Sequence, residues 1–432
     1  MSQNRVTVLK NGQIYTMNGQ VYAKGMVVLR GKTIKYVGEE LSLAEAAAIA
    51  AVNDGKTATG DGGVDYDQAG NGAEPGEGNP ADVQVEDLEG KIVFPGFIDA
   101  HTHLGILEEI FQDDGDDLNE FTEPVTPELR ALDAVNPLDL GFCDAASGGV
   151  TAVMTGPGSA NVIGGTNMVM KTAGNSFEEM ILAAQAGLKV AFGENPKRVF
   201  NEQKKVPCTR MGIAALLRQT LIDAEDYLNK KSKTPSSDEV FERDLGMENM
   251  ALVLQKKIPL RVHAHRADDI LTALRITDEF GIEMVLEHGT EAHKVIPELQ
   301  KRNIPVVLGP TLSSRSKVEL AGMTWRTAAL LEKAGILVAL TTDHNVIPVQ
   351  YLPLCAALAV KNGMSEEAAL QAITLNPARI LKQDKRIGSI EAGKDADLVI
   401  MSAYPLDWRS RIERVYIDGK VVYDSGVKTE AD

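Results

Sequence analysis

Residues 92–103 have the sequence Ile-Val-Phe-Pro-Gly-Phe-Ile-Asp-Ala-His-Thr-His, an apolar run that ends in His101 and His103. A short apolar run of this kind predicts a buried strand. Side chains two positions apart on a strand point to the same side, so both imidazole rings are expected to project from the end of this strand. Two convergent imidazoles indicate a metal site, because histidine is a common ligand of divalent transition metals.

Three other apolar runs also end in side chains that bind metals. His263 and His265 repeat the two-residue spacing, His288 follows a third run, and Asp343 closes a fourth. Imidazole and carboxylate groups together suit a transition metal better than magnesium or calcium. Four predicted strand ends therefore each offer a ligand of the right type.

Apolar strands alternate with helical stretches from about residue 92 onward, and residues 176–186 are one predicted helix. Such alternation predicts parallel strands joined by crossover helices. The predicted strands are 93–99, 150–155, 167–172, 189–193, 259–264, 282–287, 304–308 and 336–342. Eight strands favour an α/β fold, a (β/α)8 TIM-like barrel, whose catalytic residues lie at the C-terminal strand ends. The candidate ligands all fall at those ends.

The two ends of the chain predict a second, smaller domain. Residues 5–39 contain Asn-Gly turns between short strands, and short strands return between residues 397 and 423. Such turns are typical of hairpins. We predict a discontinuous small β-sandwich from residues 1–92 and 393–432, beside a metal-binding barrel over 93–392.

One segment of the small domain has a different composition. Residues 53–82 are rich in glycine and acidic residues, contain one lysine, Lys56, and have almost no bulky apolar side chain. A segment of this kind cannot form a packed core. We predict that it is a mobile insertion without a chemical role.

The charge balance limits the kind of partner. The chain has 432 residues and a formal net charge of −17 at pH 7, which argues against a nucleic-acid partner. It contains three cysteines without metal-type spacing, no signal-peptide pattern and no apolar window long enough for a membrane span. We therefore predict a cytoplasmic protein that acts on a small molecule, without a membrane or nucleic-acid partner and compatible with a homo-oligomer.

The chain resembles the amidohydrolase superfamily, and in particular its imidazolonepropionase-like branch. The most specific segments are 95–103, 287–290, 342–344, 373–378 and 388–398, and the resemblance covers nearly the whole chain. It implies a (β/α)8 barrel with a flanking β-sandwich that hydrolyses C–N and related bonds with one or two metal ions. The metal ligands that it implies are His101, His103, His263, His288 and Asp343.

Binuclear members of this superfamily often bridge the two ions with a carboxylated lysine or a glutamate. On the predicted fourth strand, Lys189 begins the strand and Glu194 ends it, roughly 16 Å apart at about 3.3 Å per residue. Only Glu194 would then lie at the active-site end, so we predict Glu194 as a metal ligand. The alternatives are Lys171, at the end of the preceding strand, and a structural role for Glu194.

The remaining site residues have predicted roles in catalysis. A metal lowers the pKa of bound water toward 7, which makes hydroxide available, and Asp343 is the expected proton shuttle. His265 is expected to contact substrate or to support the ligands. Arg266 is a candidate for binding a substrate carboxylate, with a structural ion pair as its alternative. Zinc is the expected metal, with iron, manganese or cobalt as alternatives.

These observations predict a metal-dependent hydrolase that cleaves an amide, cyclic amide or related C–N bond of a small molecule. One alternative is a heterocyclic amine deaminase, which uses the same ligands around a single ion. Another is a non-catalytic barrel relative that acts as an assembly protein. The complete set of five ligands counts against that second alternative.

Overall fold

The computed structural model describes residues 5–51, 83–110, 112–233 and 241–427. The predicted insertion at 53–82 lies outside these residues. The strands are β1 (Val6–Tyr15), β2 (Val21–Arg30), β3 (Thr33–Glu39), β4 (Val83–Asp87), β5 (Ile92–Pro95), β6 (Phe97–Thr102), β7 (Val150–Thr155), β8 (Ile163–Lys171), β9 (Ile181–Ala191), β10 (Leu260–Ala264), β11 (Met284–His288), β12 (Val306–Leu308), β13 (Val338–Leu340), β14 (Leu398–Met401), β15 (Ile412–Ile417) and β16 (Lys420–Asp424).

Helices occupy most of the connections between the later strands. They are α1 (Leu43–Ala51), α2 (Leu140–Ser147), α3 (Phe177–Met180), α4 (Glu194–Glu202), α5 (Arg210–Lys233), α6 (Leu245–Leu254), α7 (Ala267–Phe280), α8 (Ile296–Lys301), α9 (Thr327–Lys333), α10 (Leu352–Lys361), α11 (Glu366–Gln371) and α12 (Leu375–Ile380), with 3-10 turns at Ala131–Asp133, Ala292–Lys294, Val318–Leu320 and Val349–Tyr351. Within the described part of the chain, no helix has the length and apolar character that crossing a bilayer requires.

The first sheet combines strands from both ends of the chain. Its order is β16-β15-β14-β5-β1-β2-β3, and β4 pairs with β1. Strand β1 pairs with β4 through its first half and with β5 through its second half, so the sheet divides along β1. Both faces are buried, because neighbouring side chains such as Val8 and Leu9 belong to different apolar clusters. This sheet forms a unit separate from the second sheet, as the sequence predicts.

The second sheet has eight strands in the order β13-β12-β11-β10-β9-β8-β7-β6. Its first and last strands approach each other without a regular ladder. The hydroxyl oxygen of Thr341 lies 2.6 Å from the carbonyl oxygen of His101, and the N–H of His103 donates to the carbonyl oxygen of His344 at 2.8 Å. These contacts nearly close the barrel and hold the end of β6 beside the end of β13.

The prediction of eight parallel strands is wrong for one strand. Strand β8 runs antiparallel to both β7 and β9. The segments that connect it to these neighbours, 156–162 and 172–180, are too short for a crossover, which needs a dozen or more residues. The C-terminal end of β8 therefore lies at the opposite end of the barrel from the other C-terminal strand ends.

The helix predicted for 176–186 is also wrong over most of its length. Only Phe177–Met180 is helical, and Ile181–Ala191 forms the long strand β9. This strand pairs with β8 in a hairpin and with β10 in a parallel ladder. Lys189 consequently lies near the C-terminal end of its strand instead of at its beginning.

Lys171, at the end of β8, links the barrel to the C-terminal part of the first sheet. Its buried ammonium lies 2.8 Å from the carboxylate of Asp395 and 3.0 Å from that of Asp397, and it also contacts Asp418. Burial alone would lower the pKa of Lys171, but the three aspartates outweigh it and raise the pKa above its ordinary value. The lysine is therefore charged and paired in the folded protein.

We expect Lys171→Met to lower the free energy of unfolding by about 3–5 kcal/mol, because it leaves three carboxylates without their buried cation. Urea unfolding followed by circular dichroism measures the change. Lys32→Met is the control, since Lys32 pairs with Asp418 and Glu179 from a half-exposed position and such pairs contribute about 0–1 kcal/mol. A loss for Lys171→Met no larger than that of the control would contradict this account of the network.

Candidate metal centre

Five histidines converge at the C-terminal end of the barrel. The ring of His288 lies between two pairs, with centroid distances of 4.8 Å to His101, 4.5 Å to His263 and 4.9 Å to His265. His103 is 5.3 Å from His101. The rings come from the ends of β6, β10 and β11, and all five side chains are buried. Parallel strands therefore bring together the histidines that are far apart in the sequence.

Backbone carbonyl groups fix the orientation of two of these rings. Nδ1 of His103 lies 2.7 Å from the carbonyl oxygen of Gly156, and Nδ1 of His288 lies 2.9 Å from that of Gly309. A nitrogen that faces a carbonyl oxygen carries the proton, so Nε2 of each ring keeps its lone pair. An outer acceptor of this kind is the usual support of a histidine that ligates a metal.

A buried ion pair supports His101 in the same way. The carboxylate of Glu287 contacts Nδ1 of His101, and its other oxygen lies 2.5 Å from the guanidinium of Arg261. Arg261 also donates to the carbonyl oxygen of Ala100 at 2.7 Å. Burial lowers the pKa of Arg261 to about 9, which still leaves it charged near neutral pH. Nε2 of His101 is thereby left to face the centre.

Asp343 lies opposite the first pair of histidines. Its Oδ1 is 3.4 Å from Nε2 of His101 and 3.3 Å from Nε2 of His103. Asp343 has a φ of 53°, a left-handed conformation that costs a non-glycine residue free energy and is often found at functional sites. Burial alone would raise the pKa of Asp343, but His288 and His103 outweigh it and lower the pKa to about 2. The carboxylate is therefore ionised near neutral pH.

A second aspartate holds the backbone around Asp343. Buried Asp99 accepts hydrogen bonds from the hydroxyls of Thr341 and Thr342, both at 2.6 Å, and from the N–H of Thr342 at 2.9 Å. Thr341 in turn accepts the N–H of Asp343 at 3.0 Å. Burial raises the pKa of Asp99 to about 6, although these hydrogen bonds oppose the shift. These hydrogen bonds therefore stabilise the strained backbone conformation of Asp343.

Lys189, which was predicted to lie at the far end of its strand, is a member of this cluster. Its Nζ lies 3.5 Å from Nε2 of His101, and the side chain is fully buried. Burial lowers the pKa of Lys189 to about 7; the charge of Asp343 opposes this shift, and Arg261 and Lys317 add to it. A large fraction of this amine is therefore neutral near pH 7. The sequence shows a lysine on the predicted fourth strand. Its position at the active-site end follows only from the observed bounds of β9, which begins at Ile181 and ends at Ala191.

The residues present fit a divalent transition metal. Burial is the main cause that lowers the pKa of His101, His263 and His288 well below the ordinary value, so these imidazoles are neutral. Neither ring nitrogen of buried His263 has a hydrogen-bond partner in the described structure, a costly arrangement that a metal ion would relieve. Ligand atoms lie within 4.8 Å of one another in two groups, His263 with His265 and His288, and His101 with His288 and Asp343.

Glu194 and Lys171, the two candidates for a bridge, have different surroundings. The carboxylate of Glu194 accepts the N–H of Glu319 at 3.4 Å, and none of the contacts in the described ranges joins Glu194 to an imidazole. Lys171 is at the other end of the barrel because β8 is antiparallel, so its predicted bridging role is wrong. Glu194 begins helix α4, and its role as a metal ligand stays a prediction.

His265 and Arg266 have different surroundings although they are adjacent. Nδ1 of His265 lies 2.7 Å from the hydroxyl of Thr290, and the ring is buried among the other imidazoles. Arg266 is partly exposed and forms two hydrogen bonds to the carboxylate of Asp268, at 2.9 and 3.0 Å. The guanidinium of Arg266 is therefore already paired, and its binding to a substrate carboxylate stays a prediction.

Solved and curated proteins with related sequences carry amidohydrolase names. The chain is 44% identical to the crystal structure of an amidohydrolase from Thermotoga maritima MSB8, with a TM-score of 0.85 over 97% of this chain and 100% of that one. It is 29% identical to "Amidohydrolase tasK" of Hapsidospora irregularis over 373 residues, 81% of this chain. The matched region spans only 38% of that longer protein.

A third relative agrees with the predicted branch. An imidazolonepropionase of Fusobacterium nucleatum is 23% identical over 390 residues, which cover 79% of this chain and 85% of that protein. These names indicate a hydrolase that acts on C–N bonds, and the resemblance inferred from the sequence is confirmed. The model of the "Amidohydrolase family" matches residues 92–422, so the chain belongs to the amidohydrolase family.

Proposed function

We propose that this chain is a metal-dependent hydrolase that adds water across an amide, cyclic amide or related C–N bond of a small molecule. The observation that carries the proposal is the convergence of five buried imidazoles, Asp343 and Lys189 at one end of the barrel. A non-catalytic binding protein has no need to bury so many side chains that can bind a metal while leaving their hydrogen bonds unsatisfied. All of these side chains are buried, which fits a small-molecule substrate.

Two ions are proposed to occupy the centre. His101, His103 and Asp343 would hold the first, and His263 and His288 the second, with zinc as the expected metal and iron, manganese or cobalt as alternatives. A divalent metal supplies a Lewis acid that lowers the pKa of water and polarises a carbonyl group. Oxygen atoms face Nδ1 of His101, His103 and His288, so Nε2 of each ring is available to bind a metal.

Lys189 is proposed as the bridge between the two ions. Its amine adds to carbon dioxide and loses a proton, which gives a carbamate with two oxygens. A carboxylated lysine is a known bridge in binuclear members of the amidohydrolase superfamily. The position of the amine, 3.5 Å from Nε2 of His101, supports this assignment over Glu194.

Asp343 is proposed to move the proton during hydrolysis. Its carboxylate accepts a proton from the attacking water and donates it to the departing nitrogen. The hydroxyl part of water then remains on the acyl carbon, and the nitrogen leaves as a neutral amine. The pKa of Asp343, lowered to about 2, leaves this carboxylate ionised and therefore without a proton of its own near neutral pH.

A heterocyclic amine deaminase remains the alternative activity. That reaction is carried out with one ion by the same five ligands, and it needs no bridge. A buried amine beside His101 favours the binuclear hydrolase, because a single-ion site has no use for it. Turnover of N-acyl amino acids, dipeptides and hydantoins, compared with that of heterocyclic amines, discriminates between the two activities.

We expect the purified protein to contain two divalent transition-metal ions per chain when it is expressed with added metal and handled in bicarbonate buffer. Elemental analysis by plasma mass spectrometry measures the ratio. One ion per chain would favour the single-ion alternative without a Lys189 bridge. If no metal is bound under these conditions, the proposed hydrolase mechanism is excluded.

A further inference from the structure

Glu319 brings a carboxylate to the second pair of histidines from a different part of the chain. It lies in the 3-10 turn Val318–Leu320, in the segment that connects β12 to α9, and is only 2% exposed. Its Oε1 is 3.6 Å from Nε2 of His265 and 3.9 Å from Nε2 of His263. The chain thus places an acid beside His263, whose ring nitrogens have no hydrogen-bond partner in the described residues.

The other oxygen of this carboxylate is fixed by the backbone. The N–H of Glu194 donates to Oε2 of Glu319 at 2.9 Å, and the carboxylate of Glu194 accepts the N–H of Glu319 in return. Lys317 approaches Oε1 at 3.4 Å from a partly exposed position. This reciprocal pairing with Glu194 directs Oε1 toward the two imidazoles.

The distances between these donor atoms resemble those between ligands of one ion. Two ligands at about 2.0–2.2 Å from a tetrahedral metal lie roughly 3.3–3.6 Å apart. Oε1 of Glu319 meets this spacing with Nε2 of His265 and exceeds it by a few tenths of an ångström with Nε2 of His263. A direct hydrogen bond is excluded at these lengths. The gap therefore fits a shared cation better than contact between the side chains.

We propose that Glu319 and His265 join His263 and His288 as ligands of the second metal ion, a divalent transition metal of the zinc, manganese, iron or cobalt class. This inference rests on the proposed metal centre and extends it beyond the ligand set implied by the resemblance. The hydroxyl of Thr290 holds Nδ1 of His265, so Nε2 of that ring is the ligand atom. Binding of the second ion then also fixes the segment that carries Glu319.

The first test is a metal titration of the metal-free protein with zinc against a chromophoric chelator. Glu319→Gln keeps the shape of the side chain but removes its charge, and we expect the dissociation constant of the weaker equivalent to rise at least about 10-fold. The tighter equivalent should be unchanged. His265→Asn should have the same effect, since it removes a neighbouring ligand of the same ion.

The control is Glu291→Gln, because Glu291 is a part-buried acid on the neighbouring segment that binds Lys294 and the N–H of Ala267. It should leave both equivalents unchanged. A second measurement follows hydrogen exchange of residues 311–323, which should slow on zinc addition in the parent protein and not in Glu319→Gln. Melting of the metal-free variants shows that they fold.

The results distinguish a failure of the ligand role of Glu319 from a failure of the proposed metal centre. If Glu319→Gln binds both equivalents as tightly as the parent protein, Glu319 is not a ligand, even where its activity is lost. Unchanged exchange of residues 311–323 on zinc addition also counts against it. Failure of the parent protein to bind any zinc would instead overturn the proposed metal centre.

Discussion

Asp343→Asn is expected to lower kcat by about 10²- to 10⁴-fold, because proton transfer by a placed side chain contributes that much to a rate. An amide has nearly the same shape as the carboxylate and keeps one oxygen that can face a metal, but it cannot accept a proton near neutral pH. Metal content should therefore fall much less than activity. The position of Asp343, 3.3–3.4 Å from the Nε2 atoms of His101 and His103, is the basis of this expectation.

The measurement is kcat and metal stoichiometry on the substrate that the panel identifies. His101→Ala should lose metal and activity together, since it removes a proposed ligand. Asp139→Asn is a matched control: Asp139 is a buried carboxyl that accepts the N–H of Glu109 at 2.9 Å, and it should retain nearly full kcat. An Asp343→Asn protein with full metal and near-normal kcat would remove Asp343 from the mechanism.

The position of the histidines at strand ends could be predicted from local sequence. Each histidine follows an apolar run, and the two-residue spacing of His101 with His103 and of His263 with His265 specifies one face of a strand. The C-terminal strand ends of a barrel meet at one edge, so the convergence required only the correct order of strands. The distances between the imidazole rings depend on long-range contacts, and no local sequence pattern specifies them.

The direction of β8 and the length of β9 could not be predicted from the same patterns. Residues 176–186 are rich in Glu, Met, Leu and Ala, which have high helix propensity, and tertiary pairing overrides such a preference. In this fold the segment pairs with β8 as a hairpin, so the strand begins at Ile181 and ends at Ala191. That difference moves Lys189 from the far end of the strand into the centre.

Glu319 had no recognisable signal in the sequence. It follows a polar stretch, Ser313 to Lys317, and no apolar run or motif directs attention to it. Its carboxylate accepts the backbone N–H of Glu194, which is 125 positions away in the sequence. The sequence instead predicts Glu194 as a metal ligand. In the structure, Glu194 orients Glu319 through main-chain and side-chain hydrogen bonds.

Lys189→Ala is expected to remove one of the two metal ions and to lower kcat on the order of 10²- to 10³-fold. A metal that polarises the reacting group contributes several kcal/mol, and about 1.4 kcal/mol corresponds to a factor of ten. The side chain occupies a fully buried position beside His101, so its loss also leaves a cavity. Melting of the metal-free protein measures that structural cost separately from the effect on the metal.

Carbon-13 NMR with labelled bicarbonate tests the bridge directly. The parent protein should show a carbamate signal that Lys189→Ala lacks, whereas Lys294→Ala, at a half-exposed lysine paired with Glu291, should keep it. A short carboxylic acid such as acetate should restore part of the metal content and activity of Lys189→Ala, because it supplies the two missing oxygens. A variant that keeps two ions per chain and near-normal kcat without added acid would show that Lys189 does not bridge, since a bridge cannot be removed without loss of the ion that it holds.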